Sequence, residues 1–353
     1  MASTPYADLP DHRFWRKAVA GVPPFAVDPI VDLPFRIHPQ DKVATGGSCF
    51  AQHIANRLQG SGLQYYQAET APAGMSAAEA QAKGFGMYSC RYGNIYTTRQ
   101  LLQLFDRAFG HFKPTLDVWQ RPDGRYVDPF RPRIEPDGFA TPEEVRADRE
   151  QHLAAVRKMF ETMDVFLFTF GLTESWVHRE DGAVLQLAPG VAGGEFDETK
   201  YKFWNARASE VASDYLSFVD KLKAINPDVR LIVSVSPVPI IATYMPRHAL
   251  VSNSASKSTL RVACDEVVAA RPEIAYFPSY DLVSFGPNAA RYYKDSLREL
   301  NAVGLSAVMR AFFDHFTAKE AKGNDVRALR IDVSRETAET STVVCDEEAI
   351  EAA

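Results

Sequence analysis

Val43-Ala44-Thr45-Gly46-Gly47-Ser48-Cys49-Phe50-Ala51 decides how the rest of the chain is read. A short extended run meets two glycines, then Ser48 and Cys49, then a helical pattern. Phe50, Ile54 and Leu58 recur at i, i+4 and i+8 with Ala51 and Ala55 beside them, so the helix buries one face. Glycines at a strand-to-helix turn allow backbone angles that a side chain forbids, and they let a ligand approach the backbone. The first free N–H groups of the helix point at whatever lies above Ser48 and Cys49, and the helix dipole favours negative charge there. The stretch predicts a nucleophile facing a developing oxyanion.

The same residues carry a resemblance. Gly47-Ser48-Cys49-Phe50-Ala51 reads GSCFA, and the chain resembles the GSCFA family, which is grouped with the SGNH/GDSL hydrolases. The resemblance implies acyl-ester chemistry on a serine or cysteine.

Outward from the turn, Leu63-Gln64-Tyr65-Tyr66 reads as a second strand, and residues 68–86, rich in Ala and Gly, as loop or weak helix. Thr97 caps a helix that keeps Leu101, Leu102, Phe105 and Phe109 on one side. Thr141-Pro142-Glu143-Glu144 opens another, with a cap, a first-turn proline and acids at the positive end. Asp164 to Phe170 is nearly all apolar, as a strand buried on both faces should be. A Gly-rich loop at 189–194 precedes a helix over 204–225, and Val229 to Ser236 is the next buried strand, stopped by Pro237 and Pro239. A helix over 255–270, a strand at Ile274 to Phe277 and a helix over 302–316 complete the pattern. Strands alternating with helices predict an α/β protein with a mainly parallel sheet between two helical layers. The resemblance makes this three-layer α/β/α arrangement SGNH-hydrolase-like, that is, flavodoxin-like. The expected organisation is an irregular aromatic arm over 1–40, one domain over 41–318 with an excursion at 111–140 that faces substrate, and a mobile acidic tail over 319–353.

The totals of the 353-residue chain narrow the function. A net charge of −6 argues against a nucleic-acid surface. Cys49, Cys90, Cys264 and Cys345 show neither metal spacing nor a disulfide framework, which fits a reducing compartment. No signal peptide and no apolar run long enough to span a membrane is visible, so a cytoplasmic, bacterial-type enzyme without metal or cofactor is expected.

In such sheets the ligand sits at the carboxyl ends of the strands, so the residues just after strands are the candidates. Ser48 and Cys49 compete for the nucleophile. Laying Gly46-Gly47-Ser48-Cys49 on the Gly-Asp-Ser-Leu block of the SGNH enzymes makes Ser48 the attacker; moving the register by one gives Cys49 that place. A thiol at a helix N-terminus is activated by its position, whereas a serine needs a base in contact with it. Gly171-Leu172-Thr173-Glu174 resembles the Gly-x-Asn-Asp block, with Thr173 where an oxyanion-binding Asn is expected and Glu174 free to orient a base or contact substrate. Gly93, followed by Asn94, resembles the glycine whose N–H completes the oxyanion hole.

The base is where the pattern breaks. SGNH enzymes carry Asp-x-x-His before the last helix. Here Asp295 is followed by Arg298, and arginine cannot act as a base at neutral pH. His248, in the loop after a central strand, is the best substitute, with His53 and His178 behind it. Lys257 and Arg298 are candidates to hold an anionic group, a carboxylate or the phosphate of an acyl carrier. The expected function is hydrolysis or transfer of an acyl group, acetyl first, on a carbohydrate or similar polar small-molecule or glycan ester, with an acyl donor as possible partner. The alternative is a ligand-binding protein that keeps the fold and has lost the histidine.

Overall fold

The computed structural model describes residues 4–318 and 343–352. Its centre is a sheet of four parallel strands: β1 (Val43–Gly47), β4 (Val165–Phe170), β8 (Arg230–Val235) and β9 (Ala275–Phe277), in the order β1-β4-β8-β9. The Leu63–Tyr66 run contributes a single parallel bridge, Val43 to Tyr65, outside β1. Counting that bridge, the spatial order is that of a flavodoxin-like doubly wound sheet, with β1 and β4 flanking the point where the winding reverses.

Side-chain alternation splits β4 between two cores. Phe166, Phe168 and Phe170 face one layer, where they pack on α3 (Thr98–Ala108), α4 (Pro142–Thr162), α5 (Ala208–Ile225) and α6 (Ala249–Ala270). Val165 and Leu167 face the other, with Phe50, Ile54 and Leu58 of α1 (Cys49–Gln59) and Leu305, Val308 and Phe312 of α9 (Ala302–Phe316). Each such side chain stabilises the fold by roughly 1.5–3 kcal/mol on burial, which is why this strand reads as an unbroken apolar run. The helix expected from 255 begins six residues earlier, at Ala249, because the His248 ring accepts a hydrogen bond from the Leu250 N–H and caps it.

Two further sheets lie outside the central one. β2 (Trp119–Gln120) and β3 (Tyr126–Val127) form a hairpin within the 111–140 excursion. β5 (Glu174–His178), β6 (Val184–Leu185) and β7 (Tyr201–Asn205) form an antiparallel sheet where the sequence suggested loops and, from 204, the helix that in fact begins at Ala208. Trp119, Val127, Phe130, Leu185 and Tyr201 join the two. The excursion is pinned to α4 by ions: the Asp128 carboxylate, without solvent exposure, pairs with Arg131 at 3.0 Å and Arg149 at 3.2 Å.

The arm is partly structured. Ile37 is buried and pairs with Thr317 beyond α9, while Trp15 and Phe25 stay exposed. Residues 343–352 pack on the carboxyl ends of the strands and contain α10 (Ala349–Ala352), with Cys345, Asp346 and Glu347 buried. Residues 319–342 lie outside the described part of the chain. Among the described residues, no helix is long and apolar enough to cross a membrane.

Candidate active site

The turn that carries Ser48 and Cys49 is fixed by Gly47. Its φ is +133°, and a Cβ there would lie 2.5 Å from the Thr169 carbonyl oxygen of β4. Only glycine takes that conformation in that space. The chain therefore leaves β1 pressed against β4 and enters α1 at once.

The two nucleophile candidates come out of this turn differently. Ser48 is the N-cap of α1, yet its hydroxyl makes no capping bond and has no hydrogen-bond partner among the described residues. Gly171 packs on it so closely that a Cβ at 171 would meet the Ser48 Cβ at 2.9 Å. Cys49, on the first helical turn, lines a cavity of about 30 Å3 together with His53, Val238, Arg298 and Cys345. A hydrogen bond to Cys345, then burial, then the charges of Cys345 and Glu347 hold the Cys49 thiol well above its ordinary pKa, and Arg298 pulls it down.

Lys257, on α6, is 1% exposed, so it is no solvated surface charge. Its ammonium donates to the Gly171 carbonyl at 2.9 Å. Burial pushes its pKa down to about 8, opposed by Glu347 and then Cys49. Arg298 sits in a turn between α8 (Gly286–Tyr292) and α9, just after Leu297, whose φ of 55° is left-handed. It donates to the Pro239 carbonyl at 3.2 Å and lies 3.4 Å from the Glu347 carboxylate. The residue at the histidine's spacing thus reaches the Cys49 cavity as a cation.

The proton-handling candidates part ways. His248 is exposed and caps α6, and Asp295 is exposed in the turn; neither lines the Cys49 cavity. His178 is tied to Asp181 at 3.0 Å on β5. His53 is the candidate that lines the cavity, four residues after Cys49 on α1. Its Nδ1 is buried with no partner among the described residues. Burial, then Lys294 and Arg57, lower its pKa to about 4, so the ring is neutral.

The expected oxyanion residues are gathered nearby. Gly93, with φ +65°, brings Asn94 round, and the Asn94 side-chain NH2 donates to the Val344 carbonyl at 3.1 Å and to the Asp346 carboxylate at 2.6 Å. Thr173 donates its hydroxyl hydrogen to Ser256 at 3.1 Å, so it is already engaged. Glu174 accepts from the Thr243 hydroxyl at 2.6 Å and the Tyr244 N–H at 3.0 Å, and so holds the loop after β8.

Sequence reasoning missed Gln52, Cys345, Asp346 and Glu347. Gln52 donates to the Val344 carbonyl at 2.7 Å and accepts from the Val344 N–H at 2.9 Å. Its signal was present: Gln52 stands three residues past Cys49 and shares its helix face. The three tail residues gave none. Among the described residues, no group of three or more His, Cys, Asp or Glu side chains is placed to hold a metal ion.

The chain belongs to the GSCFA family, whose model matches residues 42–312. Family membership and the parallel sheet place it among doubly wound α/β proteins. No curated protein matches it in sequence. Among solved structures it is similar to a carbohydrate esterase family 2 enzyme with a carbohydrate-binding domain from Corynascus thermopiles (Myceliophthora fergusii), at 13% identity and a TM-score of 0.23. That match covers 71% of this chain and 58% of the other, so the chain spans less than two thirds of that protein's length.

Proposed function

We infer that this protein hydrolyses or transfers acyl groups of esters, with Cys49 as the nucleophile. One observation carries the reading. Cys49 opens α1 at the carboxyl edge of the parallel sheet and shares a cavity with Arg298, the residue that stands where a histidine would activate a serine. A serine there would be left without its base. A thiol is ionised by nearby positive charge, and Arg298 lowers the Cys49 pKa, against the Cys345 hydrogen bond, burial and Glu347, which hold the thiol protonated while the tail is docked.

In this reading the Cys49 thiolate adds to the acyl carbonyl, and the first-turn N–H groups with Asn94 stabilise the oxyanion. Collapse expels the alkoxide, which takes a proton through His53 and departs as the alcohol, leaving a thioester on Cys49. Water then attacks the thioester, giving the carboxylic acid and restoring the thiol; an acceptor alcohol in place of water completes a transfer. Two larger spaces, each walled in part by the same tail segment as the Cys49 cavity, could take the alcohol portion. A groove of about 720 Å3 runs between the excursion and the Gly-rich loop, and a pocket of about 350 Å3 is walled by Trp176, Phe196, Phe203 and Tyr244. Such rings offer a sugar face a stacking surface, which supports a carbohydrate or similar polar ester.

The test is hydrolysis of p-nitrophenyl acetate by the full-length protein and its Cys49→Ala and Ser48→Ala variants. The reading requires activity above buffer that is lost in the first variant and kept in the second. No turnover and no alkylation of Cys49 by iodoacetamide would return the chain to the ligand-binding alternative.

A further inference from the structure

The tail residues contribute walls to all three of the spaces described above. Val344, Asp346 and Ala349 border the 720 Å3 groove, Glu347 and Ile350 the 350 Å3 pocket, and Val343, Cys345 and Glu348 the small space at Cys49 itself. A substrate that reached Cys49 from either side would have to displace this segment.

The body grips the segment as a ligand is gripped. The Val344 carbonyl accepts two hydrogen bonds from side-chain amides, Gln52 and Asn94, next to the nucleophile. Two donors converging on one carbonyl is the arrangement an oxyanion site requires. Asp346 accepts from Asn94 at 2.6 Å and Gln186 at 2.8 Å. Glu347 donates its N–H to the Tyr96 hydroxyl at 3.3 Å and sets its carboxylate on Arg298. Burial pushes the Glu347 carboxyl up to about 7, against the pull of Arg298 and Lys257.

We propose that Arg298 is the subsite for a carboxylate carried by the acyl group of the substrate, and that Glu347 of the chain's own C-terminal segment occupies it in this structure. The proposal rests on the acyl-transfer reading for its biological sense, but its geometry is testable without turnover. The substrate class it names is an ester of an acid with a second, ionised carboxyl close to the reacting carbonyl, such as a hemisuccinate. The segment is then a built-in competitor whose withdrawal opens the site.

The probe is alkylation of Cys49 in the full-length protein by iodoacetate and by neutral iodoacetamide, followed by peptide mapping under reducing conditions. In both reactions the thiolate sulfur bonds to the methylene carbon and iodide departs. Taking the ratio of the two rates cancels changes in thiolate fraction and general access. Glu347→Gln should raise the iodoacetate-to-iodoacetamide ratio about tenfold over the unaltered protein, the scale of one partly screened charge contact. Adding Arg298→Met to that variant should return the ratio to the value for free cysteine. Glu347→Ala serves if the Gln variant does not fold, as judged by circular dichroism. A ratio unchanged by Glu347 variants, whether both rates rise together or neither moves, overturns the proposal. As a second arm, the Glu347→Gln protein should prefer p-nitrophenyl hemisuccinate over p-nitrophenyl acetate, and Arg298→Met should abolish the preference. Silence with both esters alongside a changed alkylation ratio would sink the acyl reading and leave the anion subsite standing.

Discussion

At the first turn of α1, one residue of register separates two chemistries. Ser48 is turned under Gly171, whereas Cys49 faces His53, Arg298 and Cys345. The choice turns on where the loop after β4 comes to rest, 122 residues away in the chain, and that is why the nine quoted residues could not make it. The groups that raise the Cys49 pKa first come from the tail. Cys345→Ala removes the hydrogen bond that is the first cause, and the charge that ranks after burial. The pH at which Cys49 alkylation by iodoacetamide is half-maximal should therefore fall in that variant; an unchanged midpoint would mean Cys345 does not act on the thiol. Arg298 was legible as a departure from Asp-x-x-His, but its role was not. An exposed arginine in a turn and one steered into a cavity by a left-handed Leu297 look the same in sequence.

At the scale of elements, the parallel sheet was readable because β4 and β8 are buried on both faces and lack alternation, leaving continuous apolar runs. The β5–β7 sheet was not, because its strands are short and half-buried and pair across 22 residues of loop-like composition. The junction of β1 and α1 is the element on which the site depends. Gly47→Ala forces a Cβ into Thr169 and a side chain into a left-handed φ; a loss of about 2 kcal/mol or more is expected in denaturant unfolding. The excursion depends on buried charge instead. Asp128 sits among Arg131, Arg149 and Arg107, which hold its carboxyl well below the usual range despite the opposing, and largest, effect of burial. Asp128→Asn leaves those guanidiniums short of a counter-charge and should cost roughly 3–5 kcal/mol; a change under about 1 kcal/mol would show the cluster is solvated.

For the whole molecule, the described end of the chain packs over the Cys49 cavity. Composition hid this, because Asp346 and Glu347 are buried by pairing with Asn94, Gln186 and Arg298 rather than by apolar character. The pairing has a pH signature. Glu347 docks among Arg298, Lys257, Asp346, Glu348, Cys345 and Cys49, and its pKa rises from an ordinary value near 4.5 to about 7, with burial the first cause. A carboxyl raised on docking favours the docked state fully below its undocked pKa, and that contribution is lost as pH climbs through about 7. Cys345 capture by iodoacetamide, corrected for thiol ionisation with the unfolded protein, should therefore increase between pH 5 and 7.5; a flat corrected rate would contradict the coupling. The central claim is tested most directly by acid-quenching the full-length protein during p-nitrophenyl acetate turnover and locating the acetyl group by peptide fragmentation. The account predicts an acetyl thioester on Cys49, cleaved by neutral hydroxylamine. A hydroxylamine-resistant acetyl ester on Ser48 would contradict it.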